Sequence, residues 1–309
     1  MKENIIYELK TLYRDNFRVR GYEFGEGENS VCIVGSMRGN EVQQTYVCGK
    51  LVHELKMLEE KGAIKDGKKI LVIPCVNPRS INTEKRFWPI DNTDINRMFP
   101  GYDLGETTQR IAAGLFEKIK DFEYGIQFAS FYMPGRFIPH VRMMSTGNED
   151  VEQAKLFGLP YVVRRKIKPY DTTTLNYNWQ IWGTKAYSVY TATTSSVDEE
   201  SARQGVKGVL NFLKNIGVID AETYAGYHSK VVWDTDMISV RTAFSGIYKQ
   251  MLQAGQQAEV GDVVAQIIDP YTSDVLKKIV APCEGMVFFS HNNPLVYTDT
   301  AVVKIVPDR

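Results

Sequence analysis

An α/β domain with a mixed, largely buried sheet and flanking helices, followed by a small all-β unit, is the fold the sequence predicts. Three observations carry this expectation. Apolar runs of strand length alternate with helical segments of period 3.6 from Val31 to Ile216. From about His228 the helices stop, and short strands separated by Gly turns take over. The chain has 309 residues, enough for two domains, which we expect at 1–227 and 228–309.

The elements follow in order. Residues 1–16 mix charged and apolar positions and predict an amphipathic helix; they lack the apolar run of about 7–15 residues of a signal peptide. Residues 31–35 are a buried strand. Residues 41–61 are a helix, with Val42, Tyr46, Leu51, Leu55 and Leu58 near a 3.6 period. Residues 69–76 form a second buried strand. Residues 107–120 form a helix with Ile111, Leu115, Phe116 and Ile119 on one face. Strands at 122–128 and 186–191 follow, and a helix at 206–216 ends at Gly217. Two later segments read as imperfect copies. Val240 to Gly246 with Val260 to Ile267 resembles Val280 to Gly285 with Val296 to Ile305. Such duplication fits a small pseudo-symmetric β-barrel.

Composition narrows the function classes. Lys plus Arg and Asp plus Glu are 37 each, so the net charge is zero. No basic excess points to nucleic acid or an anionic membrane, and no stretch approaches the ~20 apolar residues of a membrane span. The four cysteines, Cys32, Cys48, Cys75 and Cys283, show no Cys-x-x-Cys spacing. They read as reduced thiols of a cytoplasmic protein. The four histidines, His53, His140, His228 and His291, form no His-x-x-x-His pair.

The motif-bearing stretch is 70–101, ILVIPCVNPRSINTEKRFWPIDNTDINRMFPG. A strand leads into Asn77-Pro78, then Arg86, then Asp94-Ile95-Asn96-Arg97, then Phe99-Pro100-Gly101. This resembles the succinylglutamate desuccinylase/aspartoacylase family of the zinc carboxypeptidase superfamily, with Ile95 where Leu is usual. The resemblance implies a zinc-carboxypeptidase-like sheet, a C-terminal barrel of biotinyl/lipoyl type and zinc-dependent hydrolysis of N-acyl amino acids. No modifiable Lys stands at a hairpin tip, so the barrel reads as structural.

The resemblance also implies a ligand set, and here the chain departs from it. The family carries His-x-x-Glu where this chain has Arg38 and Glu41, so Glu41 is the one ligand that remains. Ala129 stands at the third ligand, a His in the family, and Gln127 at its neighbouring Asp. Tyr190 stands at the general-base Glu. A guanidinium has no lone pair to give a metal, and a catalytic zinc normally needs three protein ligands. A phenol of pKa about 10 is a poor base at neutral pH.

What remains is a carboxylate-binding half-site, which the resemblance places on Arg86, Asn96 and Arg97. A guanidinium fork suits a carboxylate. The expected function is a pseudoenzyme: a non-catalytic homologue without zinc that binds a small acidic N-acyl amino acid or similar carboxylate. The alternatives are an active hydrolase with a rebuilt metal site, using His140, and a structural subunit, as a homo-oligomer or beside an active paralogue. Arg38 and Glu41, three residues apart, are expected to pair in the metal's place. Arg136, His140 and Arg142 add positive charge nearby. The basic run 164–168 reads as a solvated face. Tyr170, Tyr177, Trp179 and Trp182 fit a pocket wall or a packed core equally.

Overall fold

The computed structural model describes residues 1–12, 15–224 and 226–308. In chain order the elements are β1 (Lys2–Leu9), β2 (Phe17–Phe24), β3 (Gly27–Ser36), α1 (Val42–Glu60), β4 (Gly67–Cys75), α2 (Pro78–Ile81), α3 (Thr107–Ile119), β5 (Tyr124–Ala129), β6 (Gly135–Phe137), β7 (His140–Met144), α4 (Val151–Lys155), β8 (Tyr161–Arg165), α5 (Leu175–Ile181), β9 (Lys185–Tyr190) and α6 (Glu199–Asn215). They continue with β10 (Lys230–Trp233), β11 (Ile238–Arg241), β12 (Gly246–Gln250), β13 (Gln257–Ala258), β14 (Val263–Ile268), β15 (Val275–Val280), β16 (Gly285–His291), β17 (Leu295–Val296) and β18 (Ala301–Pro307). They divide into two compact units, one of Met1–Ser130 with Pro139–Val231, the other of Phe131–Ile138 with the chain from Val232 onward. The short segment joins the second unit because β6 pairs with β16.

The first unit carries a nine-stranded mixed sheet in the order β1-β2-β4-β3-β5-β9-β7-β8-β10. Its centre is parallel: β3 pairs with β4 and β5, and β5 with β9. Both faces are covered, which is why the central strands read as unbroken apolar runs. Val31 and Ile33 face one core with Val47 and Leu51 of α1 and Phe212 of α6. Cys32 and Val34 face the other with Ile111 and Leu115 of α3 and Trp179 of α5. Trp179 lies against Gly125 of β5, where an added Cβ would meet its ring at 2.7 Å.

Two expectations are corrected. Residues 2–9 form an edge strand instead of a helix; Tyr13 and Arg14 of the expected helix lie outside the described residues. Antiparallel pairing with β2 gives its charges cross-strand partners, Glu8 with Arg18 at 2.6 Å and Glu3 with Arg20 at 3.1 Å. Its apolar residues dock tertiarily, Tyr7 over Gly114 of α3 and Ile6 beside Leu71. Such contacts override the local pattern. The last helix begins at Glu199, two turns earlier than the apolar periodicity suggests. Its start is set by Asp198, whose side chain accepts from the Ser201 amide at 2.9 Å, with Glu199 and Glu200 in the first turn. The expected C-cap at Gly217 is present, at φ 74° with its amide donating to Lys214.

The second unit has two antiparallel sheets, β11-β18-β16-β13 and β15-β14-β12-β17. Exchanging β11–β14 for β15–β18 turns one order into the other, so the sequence copies are two halves that swap strands. Each half starts its second strand at a close-packed glycine. A Cβ on Gly246 would lie 2.7 Å from the Ile268 carbonyl, and one on Gly285 would lie 2.3 Å from that of Val306.

His291 of β16 is buried, edge-on to Tyr248 with ring centroids 5.1 Å apart. Burial pushes its pKa below 6.5, opposed in part by a hydrogen bond with the Leu295 backbone. The unfolded chain therefore takes this proton first as pH falls below about 6.5. The neutral ring contributes stability above that pH, and the contribution is lost on acidification toward the depressed folded value. Thermal melts between pH 7.5 and 5 should show a smaller loss for His291→Phe than for wild type; parallel losses would sink this assignment.

Candidate functional site and its cavity

The site sits at the carboxyl ends of the parallel strands, where open α/β sheets place ligands. After β3 the chain turns through residues 37–40 into α1. Glu41, 1% exposed, closes this turn: its carboxylate accepts from the amides of Met37 at 2.7 Å and Arg38 at 3.0 Å. Arg38, 4% exposed, folds back over it. Its Nη1 donates to Glu41 Oε1 at 2.8 Å and its Nε to Asp94 Oδ2 at 2.9 Å. Burial works against this charge, but the two carboxylates outweigh it, and Arg38 holds its proton more firmly than an ordinary arginine.

Asp94 ties this pair to the motif loop. Its Oδ1 accepts from the Asn96 amide at 3.0 Å, and its Oδ2 also takes Arg86 Nη2 at 3.4 Å. Asn96 Oδ1 accepts from the Leu175 amide at 3.0 Å, which pins the loop to α5. The Arg97 side chain has one hydrogen bond, Nη1 to the Asn96 carbonyl at 2.8 Å, and among the described residues no carboxylate pairs with it. Burial, and then repulsion from Arg38, lower the pKa of both Arg86 and Arg97.

Strand alternation supplies the remaining wall. Gln127 and Ala129 share one face of β5, and Ser188 and Tyr190 the matching face of β9, in direct register. Tyr190 stacks on His140 with centroids 4.9 Å apart, and the Arg142 guanidinium lies 5.9 Å from its ring. Arg165 of β8 pairs with buried Asp171 at 2.8 Å.

These elements enclose a cavity of about 70 Å³, lined by Arg38, Asn96, Arg97, Gln127, Ala129, Ser130, Tyr190, Arg165 and Asn176 among others. Of the expected binding residues, the structure brings Asn96 and Arg97 to the cavity; Arg86 is held by Asp94 and does not line it. The basic run is corrected in part: Arg164 bonds Glu149 at 3.0 Å and Arg165 bonds Asp171, so neither is merely solvated. Of the aromatic group, Trp179 is core and Trp182 is half exposed, edge-on to Phe116; none lines the cavity. Ser130, Asp171 and Asn176 were not singled out in the sequence. Ser130 and Asp171 carried no motif, and Asn176 sits in the short stretch Leu-Asn-Tyr-Asn-Trp, where a buried amide and a solvated one look alike.

The donor set does not fit a zinc ion. Glu41 stands where the family resemblance expects a ligand, but its four lone-pair positions receive the Met37 and Arg38 amides, Arg38 Nη1 and the Ser130 hydroxyl at 2.5 Å. Arg38 offers only donors. Among the described residues no three His, Cys, Asp or Glu side chains converge as a metal-binding group.

Residues 28–216 match the profile of the succinylglutamate desuccinylase/aspartoacylase catalytic domain. The chain belongs to this family. Its members include zinc-dependent hydrolases of N-acyl amino acids. One relative is the N-alpha-acetyl-L-2,4-diaminobutyric acid deacetylase of Halomonas elongata, 23% identical over 270 residues, covering 81% of this chain and 73% of that protein. The crystal structure of a succinylglutamate desuccinylase from Silicibacter sp. TM1040 superimposes with a TM-score of 0.81 at 18% identity, over 98% of this chain and 94% of that one. The product-bound ectoine utilization protein EutE (DoeB) of Ruegeria pomeroyi gives 0.79 at 18% identity, over the same 98% and 94%. At such identities the likeness establishes the fold.

Proposed function

We propose that this chain is a non-catalytic member of its family that binds a carboxylate. One observation carries the reading. A buried Arg38–Glu41–Asp94 network stands where the resemblance puts the family's metal, and beside it Arg97 presents a cation without a carboxylate partner among the described residues. Arg38 pairs with Glu41 and Asp94, Arg86 with Asp94, and Arg165 with Asp171. Arg97 is thus the unmatched charge of this set, and a half-buried guanidinium favours an anion there. Asn96 stands next to it on the cavity wall. Arg86 supports the site from outside, through Asp94.

The ligand is the carboxylate end of a small acidic N-acyl amino acid or a similar acid. At about 70 Å³ the cavity takes that end and excludes the whole acylated molecule. Tyr190 contributes a wall and no base. The C-terminal unit is the family's small β-barrel, supported by its strand-swapped halves, with domains at about 1–227 and 228–309. A cytoplasmic site of action is part of the reading, supported by the four free cysteines and by the absence of a helix long and apolar enough to cross a membrane among the described residues.

The purified chain, dialysed against zinc, should hold far less than one zinc per chain and release no amine from N-acetyl amino acids. The same preparation should gain thermal stability with acetate and with N-acetyl amino acids in excess. Stoichiometric zinc with turnover would establish the rebuilt-site alternative instead. Absence of both turnover and ligand stabilisation would leave the scaffold reading, to be pursued as a homo-oligomer or with a paralogue.

A further inference from the structure

Asn176 lies on α5 and lines the cavity with Arg97 and Arg165. It is 2% exposed, and neither its Oδ1 nor its Nδ2 has a hydrogen-bond partner among the described residues. A buried carboxamide with both ends unmet is destabilising, and native proteins rarely keep one without use. Its neighbours show that the local backbone can satisfy such groups. Asn178, two residues on, donates to the carbonyls of Thr172 at 3.0 Å and Thr174 at 2.9 Å. The Thr174 hydroxyl caps the helix, accepting from Tyr177 and donating to Asp171. Thr174 also lines the cavity but its hydroxyl is spent; Asn176 alone of these three lines it with its side-chain hydrogen-bonding capacity unspent.

We propose that Asn176 is the specificity residue of this site, reading a neutral polar group next to the carboxylate that Arg97 holds. This rests on the carboxylate-binding reading above and adds the ligand's second feature. A carboxamide offers a donor and an acceptor side by side, the complement of another amide. The cavity volume confines that group to within a few bonds of the carboxylate. The site therefore prefers a small acid carrying an amide next to its carboxylate over a plain monocarboxylate. Gln180, one turn along α5, also has an unpartnered buried amide but does not line the cavity, and we assign it nothing.

Acetate and oxamate are suitable probes: they carry equal charge, and oxamate is acetate with its methyl group replaced by a carboxamide. Each is titrated into the full-length protein, followed by NMR shifts or calorimetry, for wild type, Asn176→Leu and Asn176→Ala. Wild type should bind oxamate about tenfold more tightly than acetate, as one or two net hydrogen bonds imply. Both variants should keep acetate affinity within about twofold and lose the preference. Asn176→Leu should also melt higher without ligand, since it removes an unmet buried amide; a residue serving only the fold would melt lower. A preference that persists in both variants overturns the assignment. So does a wild type that binds both acids equally, which would leave the carboxylate site intact. No binding of either acid would overturn the carboxylate reading itself, and this inference with it. Should Asn176→Leu fail to fold, Asn176→Ala gives the same comparison.

Discussion

Arg38→Met is expected to lower folding stability by about 3–5 kcal/mol, the range for removing one partner of a buried ion pair. The side chain is nearly isosteric along its stem, so little of this is lost packing. What it leaves is Glu41 and Asp94, 1% and 9% exposed, with negative charge no longer matched by a bidentate cation. Arg86 reaches Asp94 only at 3.4 Å and has no bond to Glu41. Urea denaturation of wild type and variant measures the difference. A loss below about 1 kcal/mol, the level of a surface pair, would mean that water or a rearranged Arg86 takes over the charge. Adding Glu41→Gln and Asp94→Asn to Arg38→Met should recover part of the loss, because the triple variant buries no unpaired charge.

Arg97→Ala is expected to act on the ligand and not on the fold. Arg97 makes a single bond to a neighbouring carbonyl, so its removal should change stability by less than about 1 kcal/mol. Binding of acetate should fall by about 2–5 kcal/mol of interaction energy, the usual effect of truncating one side of a desolvated charge pair. The thermal shift given by excess acetate should vanish. Arg97→Lys should recover some affinity as a point charge without the fork. If Arg97→Ala leaves the acetate response unchanged, the anion lies elsewhere, and Arg86 or Arg165 must be tested in its place.

The central strands were legible in the sequence because a sheet covered on both sides writes itself as apolar runs, as at 31–35 and 69–76. The pairing of Arg38 with Glu41 was legible from a separation of three residues. The third member was not: Asp94 meets Arg38 across 56 residues, and nothing local marks that distance. Arg165 was concealed in a run of like charges whose usual meaning is a solvated surface. Its partner Asp171 is buried at the end of a three-residue 3-10 helix, too short for periodicity to mark. The edge strand 2–9 is not legible in the local pattern because its register is set by β2 and its docking by Gly114, both remote in the chain. Local pattern thus gave the scaffold, and long-range polar contacts had to be seen.

The exchange of strands between the halves of the C-terminal unit bears on how it assembles. Each sheet draws two strands from 238–268 and two from 275–307, so neither sheet exists until both halves have been made. A chain interrupted between Ile268 and Val275 would yield two fragments, each keeping one strand pair, β12 with β14 or β16 with β18, and two strands without their mates. Such a fragment could complete its hydrogen bonding only by meeting the other half or a second copy of itself.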